Sequence, residues 1–200
     1  AVCGTKGLAA EWGIVSGAKL VPGETVLGQG DAGGCGTLAM QIARQEGATV
    51  KGTSGSAKGQ GLVQKLGAHM TFNHAEEGYI ERIRAALPAG PDLVVEMLAN
   101  VNLARDISLI KTHGRVVVVG NKGSLDFNPR DLMTKDATVY GMLINNMSAQ
   151  EFNENMFRLF AALEYGLDVI VDEALPLERA AEAHKKVAAG NKACKIVLLC

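Results

Sequence analysis

The sequence predicts a doubly wound α/β fold: a parallel sheet with helices on both faces. Two observations carry that prediction. Short β-branched or apolar runs alternate with longer segments of helical spacing along the chain, the order that repeated βα units produce. The run Val116–Val119 is apolar without alternation, which suits a strand covered on both faces, because right-handed crossovers put helices on each side.

Each element follows in order. Residues 1–22 read as a lead-in helix ending near Pro22-Gly23. Strands are expected at Glu24–Gln29, Thr49–Thr53, His69–Asn73, Asp92–Met97, Arg115–Gly120, Thr138–Leu143 and Lys195–Leu199. Between them lie helices at Gly34–Glu46, Ala57–Leu66, Gly78–Leu87, Asn102–Leu109, Ala149–Tyr165 and Leu177–Ala189. In the 149–165 segment Phe152, Met156, Leu159, Phe160 and Leu163 recur at three- and four-residue spacing, one buried face of a helix. Residues 23–165 therefore form the main domain, and residues 166–200 a closing helix and strand. With Ala1 in place of Met as its first residue, the chain is expected to be an excised or processed piece.

Composition bounds the function. Lys plus Arg number 20 against 21 Asp plus Glu, a formal net charge of -1, so no broad basic field exists to hold a nucleic-acid backbone. Cys3, Cys35, Cys194 and Cys200 are scattered without a C-x-x-C pair, which fits a reducing, cytoplasmic setting better than a disulfide scaffold. No apolar run approaches the ~18 residues that span a bilayer, and no secretory signal opens the chain. Glycine stands out, with 24 in 200 residues, well above the ~7% of an average protein. The glycines cluster at Gly28–Gly36 and Gly52–Gly61, as a ligand approaching the main chain requires.

The strongest local signal joins the first strand to the first helix of the sheet. Gly30, Gly33 and Gly36 fit a G-x-x-G-x-x-G variant of the dinucleotide fingerprint. Such a loop sets a pyrophosphate against main-chain N–H groups at a helix N-terminus, whose dipole favours an anion. A glycine pattern alone is weak evidence, since a ligand-free turn can share it. Its place between strand and helix makes the domain a Rossmann-type dinucleotide-binding unit. The second strand selects the nucleotide. From Gly47 to Ala75 no acidic residue occurs, while Lys51, Lys58 and Lys65 do. The missing carboxylate removes the usual partner of NAD ribose hydroxyls. Gly55, Ser56 and Lys58 suit a 2′-phosphate, so the expected cofactor is NADPH; Lys65 reads as a solvated helix face.

No metal spacing links His69, His74, His113 and His184 with each other or with the cysteines, and no metal site is expected. His74 lies just past the third strand, on the ligand-binding rim of such sheets. Glu96 ends an apolar strand and reads as a rim residue bonded to backbone. No hydrolase elbow or carboxylate pair is evident, and no catalytic acid or base is assigned.

Several strings carry a resemblance: Pro22-Gly-Glu-Thr-Val-Leu, Gly33-Gly-Cys-Gly36, Gln41-Ile-Ala-Arg44, Gly52-Thr-Ser-Gly55 and Phe72-Asn-His74. They resemble the zinc-independent branch of the medium-chain dehydrogenase/reductase superfamily. Glu96–Asn102, Gly114–Gly120, Asn128–Asp131 and Ala183-His184 narrow it to the ζ-crystallin-like NADPH:quinone oxidoreductases, over about Pro22 to Leu199. The resemblance implies pyrophosphate contacts at Ala32, Gly33, Gly34 and Cys35. It places Gly55 and His74 near the adenosine phosphate end. Asn102, the stretch Val119, Gly120, Asn121, Lys122 and the stretch Met142, Leu143, Ile144 match residues along the ribose and nicotinamide. It also implies a GroES-like substrate domain before residue 1, reduction of a small quinone, a homodimer or homotetramer, and little turnover by this chain alone. Enoyl or alkenal reduction, and a non-catalytic crystallin-like or RNA-binding role, are the alternatives.

Three departures stand against that pattern. Asp31 replaces a usual Ala, Cys35 a usual Val, and the Gly-Lys before the last strand is reduced to Cys194-Lys195. Asp31 is expected either to face the pyrophosphate, where like charge costs affinity, or to turn outward as a helix N-cap.

Overall fold

The computed structural model describes residues 3–189 and 194–200; residues 1–2 of the lead-in segment and 190–193 of the closing one lie outside the described residues. Six strands, β1 (Thr25–Gln29), β2 (Thr49–Ser54), β3 (Met70–Asn73), β4 (Leu93–Glu96), β5 (Arg115–Val118) and β6 (Thr138–Gly141), form one sheet. Its order is β3-β2-β1-β4-β5-β6, every pair parallel. The doubly wound prediction holds. Successive residues of each central strand serve opposite faces: Val26, Val95 and Val117 enter one core with Ile14, Leu38 and Ile42. Leu27, Val94 and Val116 enter a second core with Phe72, Ile83 and Ile110. That two-sided burial is why these strands read as unbroken apolar runs.

The helices are α1 (Gly4–Glu11), α2 (Gly36–Gln45), α3 (Ala57–Lys65), α4 (Tyr79–Ala86), α5 (Ala99–Leu109), α6 (Arg130–Met133), α7 (Ala149–Glu164) and α8 (Ala180–Ala188). Helix α1 runs directly into a π-helical stretch, Trp12–Gly17. Glycines at 13 and 17 admit Met142 and the Tyr140 ring against that stretch. A capping box of Ser148 and Glu151 starts α7. Strand β5 stops at Val118, earlier than expected, because the amides of Val119 and Gly120 both donate to the Glu96 carbonyl. Helix α5 begins at Ala99, so Asn102 lies in its first turn.

The closing segment needs correction. It holds a second strand, β7 (Val171–Pro176), paired in parallel with β8 (Lys195–Leu199). Two acids in β7, Asp172 and Glu173, with half-exposed positions hide its strand character. Among the described residues no helix is long and apolar enough to cross a membrane.

Candidate functional site

Because all six strands are parallel, the loops after their C-terminal ends share one edge, and the strand order sets the order of residues along it. From one end to the other come His74 after β3, then Gly55, Ser56 and Lys58 after β2, and the glycine loop Gly30–Gly36 after β1. Asn102 follows β4, Val119–Lys122 follow β5, and Met142–Ile144 follow β6. The connections reverse direction between the adjacent strands β1 and β4, the switch point where such sheets open a crevice.

The glycine loop is built for close approach. Gly30 has φ 76°, a left-handed turn, and a Cβ at Gly36 would lie 2.5 Å from the Asp31 Cα. Cys35 caps α2 without a side-chain hydrogen bond, and no acid occupies the first turn, so the positive end of the helix is not neutralised. Two ammonium groups flank it. Lys195 Nζ donates to the Gly34 carbonyl at 3.2 Å, and Lys6 Nζ would lie 3.2 Å from a Cβ on Gly34. They cover Gly34, which is buried, while Ala32, Gly33 and Cys35 are half-buried. Burial lowers the Lys195 pKa from its ordinary value and pushes the Cys35 thiol up to about 11. Cys194 leans on the same loop, bridging Gly33 and donating from Sγ to the Ala32 carbonyl at 3.6 Å.

Asp31 departs from both of its expected settings. Its side chain turns neither to the groove nor to the helix end but inward, fully buried. It fills the hollow left by Gly28 and Gly52, register partners on β1 and β2; a Cβ on either would meet its carboxyl. Neither oxygen has a hydrogen-bond partner. Burial raises its pKa well above the usual carboxylate range; the nearby Thr53 amide opposes this and Glu96 adds to it. Burial without a partner favours the neutral form of this carboxyl, which sends no charge toward a phosphate.

At the β2 end, Ser56 Oγ accepts from the Gly59 amide and caps α3. Lys58 is exposed and pairs with Asp172 of β7 at 3.0 Å. His74 Nε2 would lie 2.8 Å from a Cβ on Gly55, so a side chain there would have to displace the imidazole ring. Burial lowers the His74 pKa, with Glu96 opposing. At the other end Asn121 and Asn100 clasp two loops: Asn121 Oδ1 accepts from the Asn100 amide and Asn100 Oδ1 from the Lys122 amide, both at 3.0 Å. Leu143 is exposed, Ile144 is half-buried, and Met142 Sδ packs over Gly13. Glu96 is fully buried and accepts from the Leu98 amide and Asn102 Nδ2.

Sequence reasoning missed Lys6, Lys195 and Asp172, which reach the edge from distant segments. It also missed the buried polar set Gln29, Thr53 and Asp106; the one available signal was a polar residue inside each apolar stretch. A cavity of about 440 Å³ lies elsewhere, beside Glu11, Ile42 and Arg158, where burial and Glu46 push Glu11 up to about 7. It contains none of the residues singled out above.

Residues 34–162 match the family described as Zinc-binding dehydrogenase. The chain is 41% identical over 189 residues to a quinone oxidoreductase of Homo sapiens, covering 93% of this chain and 57% of the relative. It thus spans little more than half the length of that relative. It is 29% identical to a 2-haloacrylate reductase of Burkholderia sp, over 97% of this chain and 61% of that one. The crystal structure of 2-haloacrylate reductase superposes with a TM-score of 0.88 at 27% identity, over all of this chain and 65% of that one. The family description names zinc, yet among the described residues no three His, Cys, Asp or Glu side chains converge to hold a metal ion. The described residues do not fit zinc. With the matched span, the six-stranded order and the glycine loop all agreeing, the chain belongs to the zinc-binding dehydrogenase family of medium-chain dehydrogenases/reductases.

Proposed function

We propose that this chain is the cofactor-binding part of an NADPH-dependent quinone oxidoreductase. The observation that carries the reading is the ordered edge: phosphate loop at the switch point, hydroxyl and basic residues on one side, Asn102 and Val119–Lys122 on the other. The uncapped α2 terminus with Lys6 and Lys195 suits the pyrophosphate at Gly30, Ala32, Gly33, Gly34, Cys35 and Gly36. Gly55, Ser56, Lys58 and His74 would receive the adenosine 2′-phosphate. Asn102, Val119, Gly120, Asn121, Lys122, Met142, Leu143 and Ile144 would line the ribose and nicotinamide. Bound there, the nicotinamide supplies a hydride; the protein's part is to orient it and keep water out.

A homo-oligomer and a cytoplasmic setting accompany this reading, the latter supported by four free thiols. The likeness to a 2-haloacrylate reductase favours a second reading, reduction of an activated alkene, which a panel of quinones and enones separates from the first. Calorimetric titration with both nucleotides tests the cofactor assignment: NADPH should bind more tightly than NADH. Equal affinities, or tighter NADH, remove the 2′-phosphate argument.

A further inference from the structure

One buried residue near the end of β2, Thr53, holds both the glycine loop and His74. Its carbonyl accepts from the Asp31 amide at 2.9 Å. Its Oγ1 accepts from the Gly30 amide at 2.9 Å, donates to Gln29 Oε1 at 3.0 Å and lies 3.3 Å from His74 Nδ1. Thr53 is fully buried, and these contacts use everything a hydroxyl has, one proton to give and two lone pairs. A buried hydrogen-bonded chain fixes their direction. Gln29 Nε2 donates to Asp106 Oδ1 at 2.8 Å, so Gln29 turns its oxygen to Thr53. An amide oxygen only accepts, and the single Thr53 proton goes to it.

Toward His74 the hydroxyl can therefore only accept, and the neutral imidazole carries its proton on Nδ1. Nε2 is left bare. It faces the loop after β2, where a Cβ on Gly55 would lie 2.8 Å from it, and the His74 side chain is open to solvent. A bare ring nitrogen is an acceptor, and so are the oxygens of a phosphate dianion. Neutral His74 thus shows a lone pair at the place the proposed function gives to the 2′-phosphate. A proton added on Nε2 turns it into a charge-assisted donor, while the Nδ1 bond to Thr53 stays as it was.

We propose that Thr53 is a positioning residue that anchors His74 through Nδ1 and leaves Nε2 as the free, titrating nitrogen, so that NADPH, unlike NADH, binds with uptake of a proton there. The inference rests on the cofactor reading above. Burial lowers the His74 pKa, and Glu96, buried at the end of β4, opposes it. Asp31, inward of the glycine loop, is held toward its neutral form by burial. Glu76 and Glu77 follow on the loop of His74 itself, and Glu76 is paired with Arg82 of α4. Beyond Gly55, Lys58 is paired with Asp172 of β7.

Calorimetric titration in two buffers of different ionisation enthalpy counts the protons that accompany binding. Near pH ~7.5 the free imidazole and the free 2′-phosphate have both shed a proton; NADPH should then take up between about half a proton and one, and NADH none. On the alkaline side NADPH affinity should fall by up to about tenfold per pH unit, with NADH affinity level. His74→Gln offers an N–H but cannot titrate, and should abolish both the uptake and the slope. Nitrogen NMR shifts of the His74 ring, assigned by difference from His74→Gln, should show Nδ1 protonated and Nε2 bare in the nucleotide-free chain. Thr53→Ser should preserve that tautomer and keep NADPH affinity within about twofold. Thr53→Val should move the ring toward the Nε2–H form preferred in water and weaken NADPH at least about fivefold. No uptake with NADPH, equal uptake with both nucleotides, uptake that survives in His74→Gln, or an Nε2–H ring in the unaltered chain would overturn the proposal. If neither nucleotide binds, the cofactor reading fails and the uptake with it, while the tautomer in the unaltered chain still decides the Thr53 anchor.

Discussion

The two edges of the six-stranded sheet treat acidic side chains in opposite ways. At the N-terminal edge Glu24 pairs with Arg115, and Asp92 with Lys111. Asp92 also accepts from the Thr25 amide at 2.8 Å. Burial raises its pKa, but the Lys111 ammonium, the Thr25 amide and Arg115 outweigh that and hold it below the ordinary value. At the C-terminal edge Asp31 and Asp106 are pushed the other way by burial, toward the neutral form. The first edge only has to lash strands together, so charge is matched with charge. The second faces an anion in the proposed function, and there a neutral acid is preferable to an ionised one.

The comparison can be broken at several points. The largest effect is expected at the paired edge. Asp92→Ala strips a partner from Lys111 and leaves the Thr25 amide unsatisfied, and should lower unfolding stability by about 3 kcal/mol in a urea titration. At the other edge the sign should invert. Asp31→Ala removes a buried carboxyl without a partner and should raise stability at pH 7 by about 1–2 kcal/mol. A loss of similar size would show that the carboxyl holds the loop together. NADPH affinity should hardly change, since a neutral acid does not repel phosphate.

The edges should also respond oppositely to pH. Asp31 keeps its proton when folded, while the unfolded chain releases it near pH ~4. Its stabilising share is therefore present below that pH and lost as pH rises. Asp92 is the reverse: its share is present above pH ~4 and lost as pH falls. In stability profiles from about pH 3 to 8, Asp31→Ala should flatten the decline on the alkaline side and Asp92→Ala the decline on the acid side. The smallest effect belongs to Lys58, whose exposed pair with Asp172 should contribute no more than about 0.5 kcal/mol. Lys58→Ala should leave melting nearly unchanged yet narrow the preference for NADPH over NADH, and an unchanged preference would remove Lys58 from the phosphate site.

How much of this was legible depends on distance along the chain. The strands and the glycine loop are local patterns, and each βα unit announces itself within a few tens of residues. Strand β7 does not, because Asp172 and Glu173 interrupt its alternation and all of it but Leu175 stays exposed or half-exposed. Asp31 was misread for a different reason. Local reasoning offers a loop carboxylate only a ligand or a helix end, whereas the hollow it fills exists because Gly28 faces Gly52 across two strands. The buried chain is less visible still, since Gln29 meets Thr53 across 24 residues and Asp106 across 77. Parallel pairing creates those meetings, and no spacing rule foretells them.

The lean of β8 on the phosphate loop has a consequence for assembly. Gly33 bridges Cys194, and Lys195 reaches back 161 residues to the Gly34 carbonyl. During synthesis the six-stranded sheet has all of its strands once Gly141 has emerged, and domains form progressively as they leave the ribosome. The clasp on the loop must wait for more than fifty further residues and for closure of a very long loop, the slowest kind of contact to form. The binding loop is thus encoded well before the segment that fastens it.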